Sequence, residues 1–458
     1  MHTADKMTVL EIRATVSLAL IFALRMFGMF SILPVLALYA RELPGGATPF
    51  LIGVALGIDG LAQACLQIPF GLLSDRIGRK PVIYMGLALF ALGSFIAAGG
   101  QDIYVIILGR LVQGTGAIAA AVIALTADLT REEHRAKGMA IIGMSIGATF
   151  AVSMVAGPTL GHVIGVPGIF TLTGVLALFA MAVTRFVVPD PIVSSIHADA
   201  ETVPAQISAV LKNTELQRLN FGIFTLHAAM RGLFVVIPLV LLEVGGLSSD
   251  LHWKIYLPVM AVSFLAVVPA IIVAEKYGKM KLIFCSAVAL LSVSTLLMAV
   301  FIGNLTGVVI TLFMFFLAFN LLEATLPSLI SKIAPAGSKG TAIGVYNSFQ
   351  FLGLFLGGAL GGFLAQHVNR SAVFVFATGL GIAWLLLALS MTPPPRVRTR
   401  MIHVSGTMNE ERARRLSAAL ANIDGVSEAV VMAGESVAYL KVRMGEWDEA
   451  GADRLLQA

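Results

Sequence analysis

The sequence predicts an all-α polytopic membrane protein with twelve transmembrane helices in two pseudo-symmetric six-helix bundles, followed by a small α/β domain. Hydrophobic residues make up 58% of the 458 positions and charged residues only 12%. A typical soluble domain carries roughly 25% charged residues. Apolar runs of spanning length follow one another through most of the chain, and the composition becomes that of a soluble protein only after residue 400.

The apolar runs define the predicted spans. A transmembrane helix needs about 20 mainly apolar residues. Runs that meet this length are separated by glycine, proline or charged residues, and we place twelve spans at 15–40, 50–73, 81–100, 103–127, 138–164, 168–188, 219–242, 255–275, 282–303, 306–331, 341–367 and 371–391.

Basic residues alternate between the two predicted sides of the membrane. One side carries nineteen of them: Lys6, Arg13, Arg76, Arg79, Lys80, Arg131, Arg135, Lys137, Arg185, Lys212, Arg218, Lys276, Lys279, Lys281, Lys332, Lys339, Arg396, Arg398 and Arg400. The intervening loops carry only Arg41, Lys254 and Arg370. The positive-inside rule then places both termini in the cytoplasm. Membrane topology thus explains the net charge of +5, and we expect no nucleic-acid partner.

An internal repeat divides the membrane region. The predicted units are 1–189, a cytoplasmic linker at 190–217, 218–392, and a cytoplasmic domain at 400–458. A shift of 200 residues aligns two separate features, a charged loop and a glycine-rich span: Pro69 with Pro269, Asp75 with Glu275, Arg76 with Lys276, Gly78 with Gly278, Arg79 with Lys279, and 157–161 with 357–361. Two copies in the same orientation predict a substrate site between the halves.

The loop after the second span has a specific motif. It runs from Gly71 to Pro81 and reads GLLSDRIGRKP, and it contains Gly71, Asp75, Arg76, Gly78, Arg79 and Lys80. A carboxylate there can accept hydrogen bonds from a helix N-terminus, although a solvated basic loop is the alternative. The stretch resembles the signature loop of the major facilitator superfamily. The resemblance implies that the loop holds the halves together in the outward-open state. It assigns Gly71 to helix packing, Asp75 to a helix N-terminus of the other half, and Arg79 to a carboxylate on span 4, for which Asp128 is available.

Two further motifs support the resemblance. Span 4 contains Arg110 within LGRLVQGTG, similar to the superfamily motif whose arginine is implicated in proton movement. Span 5 contains Gly157, Pro158 and Gly161, which resemble the motif of drug:proton antiporters. His162 and Ser153 depart from that pattern, and a kinked, closely packed helix is the alternative.

Ionisable residues inside spans mark a candidate transport path. Asp59 in span 2 and Glu323 in span 10 are the carboxylates well inside spans. Burial in lipid favours their protonated form, so either could carry a proton, or serve as a structural polar contact. His227 titrates near neutral pH when unperturbed, but a lone histidine is also a common core residue. In the superfamily, spans 1, 4, 7 and 10 line the cavity, and on them lie Arg25, Arg110, His227, Arg231, Asn320 and Glu323. The cations suggest an anion, a substrate carboxylate or an acidic partner.

The C-terminal segment has the pattern of a small soluble fold. We predict strands at 401–404, 427–432 and 436–442 and helices at 409–422 and 448–457, an order that resembles a ferredoxin-like domain without its last strand. The residues 406–409 stand where metal-binding relatives have Cys-x-x-Cys, so we expect no metal. Self-association or binding of a regulatory ligand is one hypothesis for residues 400–458, and a passive stabilising role is the other.

These observations predict a proton-coupled secondary transporter that exports a small molecule by alternating access across a bacterial inner membrane. The proton gradient supplies the energy and no cofactor is expected. The alternatives are a proton symporter or facilitated uptake transporter, and a membrane sensor that does not transport and uses the C-terminal domain as its output. No nucleophile elbow, zinc motif or phosphate loop occurs in the sequence, so we predict that the protein is not an enzyme.

Overall fold

The computed structural model describes residues 6–44, 46–190, 202–393, 397–404, 409–431, 437–443 and 447. Apolar segments form helices because lipid offers no partner for free backbone N–H and C=O groups. The helices are α1 (Val9–Ser31), α2 (Leu33–Glu42), α3 (Pro49–Ile77), α4 (Arg79–Ala98), α5 (Ile103–Thr115), α6 (Ala119–Leu129), α7 (Glu132–Phe186), α8 (Pro204–Lys212), α9 (Thr214–Glu243), α10 (Trp253–Lys276), α11 (Met280–Phe301), α12 (Leu305–Ile333), α13 (Lys339–His367), α14 (Arg370–Leu389) and α15 (Glu410–Ala421).

Eleven helical stretches in the described part of the chain are long and apolar enough to cross a membrane. One of them contains two crossings, because α7 changes direction at Gly165, where φ is 70° and Pro167 follows two residues later. The predicted spans 138–164 and 168–188 correspond to the two parts of α7. The membrane region therefore has the twelve predicted crossings.

The first and fourth crossings are each built from two helices. The helix of the first crossing is interrupted at Ile32, between α1 and α2. Pro34 stands in the first turn of α2, where its missing N–H costs nothing because that N–H would have no partner within the helix. Between α5 and α6 the break begins at Gly116, where an added Cβ would lie 2.4 Å from the carbonyl oxygen of Gly86. The sequence predicted each of these crossings as one continuous helix, so both breaks are corrections.

The outer surface of the bundle is apolar. Large side chains such as Leu265 (73% exposed) and Leu386 (64% exposed) lie open on the outward faces of α10 and α14. In contrast, α9 is enclosed along almost its whole length. Broad apolar exposure of this kind suits contact with lipid, and the enclosed α9 is a central helix.

The repeat in the sequence is also a repeat in the packing. A Cβ at Gly157 of α7 would lie 2.3 Å from the carbonyl oxygen of Ser31 on α1. Two hundred residues later, a Cβ at Gly357 of α13 would lie 2.2 Å from the carbonyl oxygen of Ala228 on α9. Thus the fifth crossing packs on the first, and the eleventh packs on the seventh, with the same close backbone approach.

The two ends of the bundle differ in how the halves meet. We call the end that holds the loop 71–81 the basic face and the other end the opposite face. Near the opposite face α3 and α13 approach so closely that a Cβ at Gly358 would lie 2.4 Å from the carbonyl oxygen of Gly53. At the same face, Glu243 of α9 pairs with Arg41 of α2 and, at 2.6 Å, with Arg370 of α14. The two halves are therefore closed together at the opposite face.

The segment between the halves is partly helical. Within the predicted linker 190–217, α8 packs beside the start of α13. The Gln206 amide donates to the carbonyl oxygen of Gly337 at 3.0 Å and accepts from the Thr341 hydroxyl at 3.0 Å. The end of the linker is thus attached to the second half at the basic face.

The described residues of the C-terminal segment form a three-stranded antiparallel sheet and one helix. The strands are β1 (Val397–His403), β2 (Val426–Val431) and β3 (Val437–Arg443), in the order β1-β3-β2, and α15 connects β1 to β2. The first strand begins before the predicted residue 401, and the predicted helix 448–457 lies outside the described residues. Lys441 of β3 donates to the carbonyl oxygen of Ala334, which attaches the sheet to the loop after α12.

Candidate functional site

A fully buried ionic cluster surrounds Asp59 on α3. One carboxylate oxygen lies 2.7 Å from Nη2 of Arg110 on α5, and the other lies 3.3 Å from Nη2 of Arg231 on α9. All three side chains have no exposed surface. The pair of Asp59 with Arg110 joins α3 to α5 within the first half. The pair of Asp59 with Arg231 joins the first half of the molecule to the second.

Arg110 is held by several acceptors in addition to Asp59. Its Nε donates to the carbonyl oxygen of Ala55 at 3.2 Å, and its Nη1 donates to Gln113 Oε1 at 3.1 Å. The Gln113 amide in turn donates to the Ser94 hydroxyl at 2.7 Å. Arg110 therefore links α3, α4 and α5 within the first half.

Arg25 on α1 completes this buried arginine cluster, which we define as Arg25, Asp59, Arg110 and Arg231. Nη2 of Arg25 donates to Gln63 Oε1 at 2.9 Å, and the Gln63 amide donates to the Asp59 carbonyl oxygen at 3.4 Å. The guanidinium also lies over the ring of Phe90, 5.4 Å from its centroid. Arg25 is fully buried and interacts with Asp59 through the intervening amide.

A second ionisable site lies on α9, α12 and α13. Glu323 Oε2 is 3.8 Å from Nε2 of His227, and the Glu323 side chain is 36% exposed. Nδ1 of His227 donates to the carbonyl oxygen of Ile223 at 3.2 Å, since a carbonyl can only accept. Nε2 then accepts from the Gln350 amide at 2.8 Å. We call Glu323, His227 and Gln350 the carboxylate–histidine site. With one ring nitrogen donating and the other accepting, the His227 imidazole in this site is neutral.

One helix carries residues of both sites. His227 and Arg231 are four residues apart on α9, a rise of about 6 Å. Arg231 contacts the first half through Asp59, whereas His227 contacts Glu323 and Gln350 within the second half. A change of charge at His227 therefore acts at short range on the ion pair that joins the halves.

Asn320 does not join either site. Its amide donates to the Ser263 hydroxyl at 3.0 Å and connects α12 to α10. The sequence placed Asn320 with the cavity residues because it lies on span 10. In the structure it makes a buried contact between two neighbouring helices of the second half.

The first signature loop, residues 71–81, contains an ionic network at the basic face. Arg79 pairs with Asp75, donates to the Ser74 hydroxyl at 3.0 Å, and lies 3.4 Å from Asp128 on α6. Only 2% of the Arg79 side chain is exposed. The contact between Arg79 and Asp128 that the resemblance implied is thus made in this structure.

The other residues of this loop have distinct surroundings. Gly78 has a φ of 96°, which favours glycine at the turn between α3 and α4. Arg76 is exposed. Lys80 donates to Asp190 at 2.6 Å, and this hydrogen bond lowers the pKa of the Asp190 carboxyl. A Cβ on Gly71 would lie 3.2 Å from that of Ala120, so Gly71 faces α6.

A cleft separates the first signature loop from the second half at the basic face. Gly71 and Asp75 line one wall, and Gly340 and Gly344 of α13 line the other. Thr202 of the linker also lines this cleft, and its hydroxyl lies 2.3 Å from the position that a Cβ of Gly344 would take. In this conformation Asp75 pairs with Arg79, and its contact with a helix N-terminus of the other half stays a prediction.

The antiporter-like motif lies on α7 against the break between α1 and α2. Pro158 stands inside α7, beside the close contact of Gly157 with Ser31. A Cβ at Gly161 would lie 3.2 Å from the side chain of Val35. The motif therefore packs two helices of the first half together.

Sequence reasoning missed the buried amides that follow Asp59 on α3, of which Gln63 connects Arg25 to Asp59. Gln63 and Gln67 follow Asp59 at intervals of four residues, so they share one face of α3. Both amides are buried. This spacing of polar residues in an otherwise apolar helix was a readable signal. The link of Glu243 to Arg41 and Arg370 was also missed, although these arginines are two of the three basic residues in the loops of the opposite face.

The fold and the buried ionisable sites define a polytopic membrane transporter. The model of the Major Facilitator Superfamily matches residues 18–358 and 262–404, and the chain belongs to this superfamily. The chain is 46% identical over 437 residues to the inner membrane transport protein YajR of Escherichia coli K12, covering 95% of each chain.

More distant relatives are similar over most of their length. The quinolone resistance protein NorA of Staphylococcus aureus (strain COL) is 23% identical, covering 79% of this chain and 92% of the relative. An inward-facing, occupied crystal structure of a bacterial homologue of the human lysosomal transporter Spinster shares the fold. It has a TM-score of 0.69 at 12% identity and covers 84% of this chain and 97% of that one.

Proposed function

We propose that the protein is a proton-coupled secondary transporter that exports a small molecule from the bacterial cytoplasm by alternating access. The observation that carries this proposal is the placement of His227 and Arg231 one turn apart on the central helix α9. One contacts a carboxylate in the second half, and the other holds the ion pair between the halves. The proton gradient is the energy source, and the basic face with both chain ends lies in the cytoplasm.

The geometry supports a specific order of charge changes. In this structure the halves are closed at the opposite face, and Glu323 is partly exposed. Protonation of His227 turns Nε2 from an acceptor into a donor, so the ring exchanges the Gln350 amide for the Glu323 carboxylate 3.8 Å away. The imidazolium then repels Arg231, which weakens the pair with Asp59. Weakening of that pair shifts the balance between the two orientations of the halves, and this shift would couple the proton to the transport cycle.

The antiporter-like motif supports export as the direction. Gly157 and Gly161 allow α7 to pack closely on the first crossing, which is the mechanical role that drug:proton antiporters give this motif. The relative NorA is named for quinolone resistance, so a quinolone is the first solute to test. Solute movement in inverted vesicles, with a pH gradient of either sign, distinguishes export from uptake.

The strand order of the C-terminal segment supports the proposal of a ferredoxin-like domain. In its sheet β3 lies between β1 and β2, both antiparallel to it, and α15 crosses from β1 to β2. The hydrogen bond from Lys441 to Ala334 attaches this segment to the loop between α12 and α13. We propose that it regulates the transporter, by self-association or by binding a ligand that alters this contact.

The test is the replacement Glu323→Gln in proteoliposomes that contain a pH-sensitive dye. A quinolone and a panel of further solutes are screened for solute-dependent proton movement. We expect the wild type to couple solute flux to the pH gradient and Glu323→Gln to lose this coupling by about a hundredfold or more, the size typical of a lost proton-transfer group.

The matched control is Glu275→Gln, which removes a partly exposed carboxylate at the end of α10 and keeps coupling. Wild-type solute flux that persists after the gradient is collapsed contradicts proton coupling. Normal coupling in Glu323→Gln removes the Glu323 carboxylate from the coupling step that involves His227.

A further inference from the structure

The buried arginine cluster carries more positive than negative charge. Arg25, Arg110 and Arg231 surround the single carboxylate of Asp59, and all four side chains are fully buried. Within the described residues no second carboxylate pairs with these guanidiniums; Glu323 lies with His227 instead. Buried charges without a counter-charge are strongly disfavoured in a low-dielectric interior. The cluster is therefore suited to a further negative charge.

Two of the three arginines also have donors to spare. Nε and Nη1 of Arg25, and Nε and Nη1 of Arg231, are buried and have no hydrogen-bond partner among the described residues. The Nε and both Nη atoms of Arg110, in contrast, contact acceptors on α3 and α5. Arg25 and Arg231 come from the first crossing of each half, so an anion that binds the spare donors of both contacts both halves.

A cluster of buried aromatic rings begins one turn after Arg231 on α9. Phe234 of α9 is 6.4 Å from Phe316 of α12, measured between ring centroids. Phe150 of α7 lies 6.1 Å from Phe316 and 5.7 Å from Phe319. These buried rings come from both halves and contact one another at the interface between the halves. Where the halves separate, such rings suit the hydrocarbon or aromatic body of an organic molecule.

We propose that the transported substrate is an organic anion whose carboxylate or sulfonate binds Arg25 and Arg231 while its apolar body packs against Phe150, Phe316 and Phe319. This inference rests on the proposed transport function and names its substrate class. When the opposite face opens, Arg231 leaves Asp59, since the two belong to different halves. The substrate anion then replaces Asp59 as the partner of Arg231, so anion binding and separation of the halves favour each other.

The test compares three probes of the same shape and different charge: 1-naphthoate, its neutral amide, and the 1-naphthylmethylammonium cation. Binding to the full chain in lipid nanodiscs is measured by calorimetry. We expect naphthoate to bind at least about tenfold more tightly than the amide or the cation, as for a charge-assisted hydrogen bond. Arg25→Gln and Arg231→Gln are each expected to remove this preference, whereas the exposed-cation control Lys254→Gln retains it.

Asp59→Asn is expected to change the affinity for naphthoate in the opposite direction to the arginine substitutions. Because Asp59 competes with the anion for Arg231, its neutralisation is expected to tighten naphthoate binding by about tenfold. A merely structural role of the cluster predicts weaker binding or none. Arg231→Lys, which keeps the charge, serves as the variant for comparison if Arg231→Gln does not fold.

Several outcomes overturn the proposal. They are equal binding of the three probes, preference for the cation, no naphthoate binding at millimolar concentration, or naphthoate binding that the arginine substitutions leave unchanged. Chloride that binds through Arg231 and excludes naphthoate assigns the cluster to an inorganic counter-ion instead. Proton-coupled flux without anion preference removes only this inference, whereas anion binding without proton-coupled flux removes only the proposed function.

Discussion

The first signature loop and its repeat 200 residues later, at 271–281, which we call the second signature loop, occupy equivalent places in the two halves. The two loops differ in their degree of burial. In the first, Arg79 is 2% exposed and connects Asp75 on its own loop to Asp128 on α6. In the second, Glu275 is 48% exposed and pairs with Lys332 of α12 at 2.8 Å. Both ion pairs join a loop to the end of the crossing two further along the chain, but the signs of the charges are exchanged.

The exchange follows the repeat closely. Ser328 stands 200 residues after Asp128, and its hydroxyl donates to Glu275 at 3.4 Å. The position that is an acid in the first half is thus a neutral donor in the second, and the cation comes from Lys332 one turn later. Divergence kept the contact between the loop and the helix but placed only the first copy in a buried network, where ionic contacts have large energies of either sign.

The largest effect is expected for Arg79→Gln. Loss of this cation leaves the carboxylates of Asp75 and Asp128 near each other without the positive charge that compensates them. Breaking a buried pair in this way costs about 3 kcal/mol or more. We expect a clearly lower thermal unfolding midpoint in detergent and loss of transport. An unfolding midpoint equal to that of the wild type contradicts the comparison of the two loops.

A smaller loss of stability with a large loss of transport is expected for Asp75→Asn. Asp75 is partly exposed, and Arg79 retains Asp128, so we expect a stability change of about 1 kcal/mol or less. Transport is expected to fall strongly, because Asp75 and the start of α13 line opposite walls of one cleft and approach when the basic face closes. The protein is measured for membrane insertion and for solute flux, and unchanged flux excludes the role of Asp75 between the halves.

Much of this arrangement was accessible from the sequence because composition and spacing report it directly. Apolar run length gave the twelve crossings, and the motif around Gly78 gave the first signature loop. The breaks at Ile32 and Gly116 were not predicted, since each lies inside an apolar run and depends on which helix packs against it. The burial of Arg231 against Asp59 was equally inaccessible, because the two residues lie 172 positions apart and meet only through the contact between the halves.

The linker and the sheet show a related limit. Their hydrogen bonds go to Gly337, Thr341 and Ala334, which are all close to the start of α13. The residues that make these contacts, such as Gln206 and Lys441, carry no motif. Polar side chains on solvated segments have no periodicity that would indicate a partner, so only the folded structure identifies them.

The smallest effect is expected for Lys332→Gln, and it sharpens the comparison of the loops. A partly exposed ion pair contributes about 0–1 kcal/mol, so the unfolding midpoint should change little. The double substitution Glu275→Lys with Lys332→Glu, which exchanges the two charges, should also retain stability and transport. This contact depends mainly on the two charges being opposite, and the exchange keeps them so. The corresponding exchange of Arg79 and Asp128 should fail, since Arg79 also donates to Ser74 and pairs with Asp75. If unfolding and solute flux show that both exchanges are tolerated, burial is not what makes the two signature loops differ in energy.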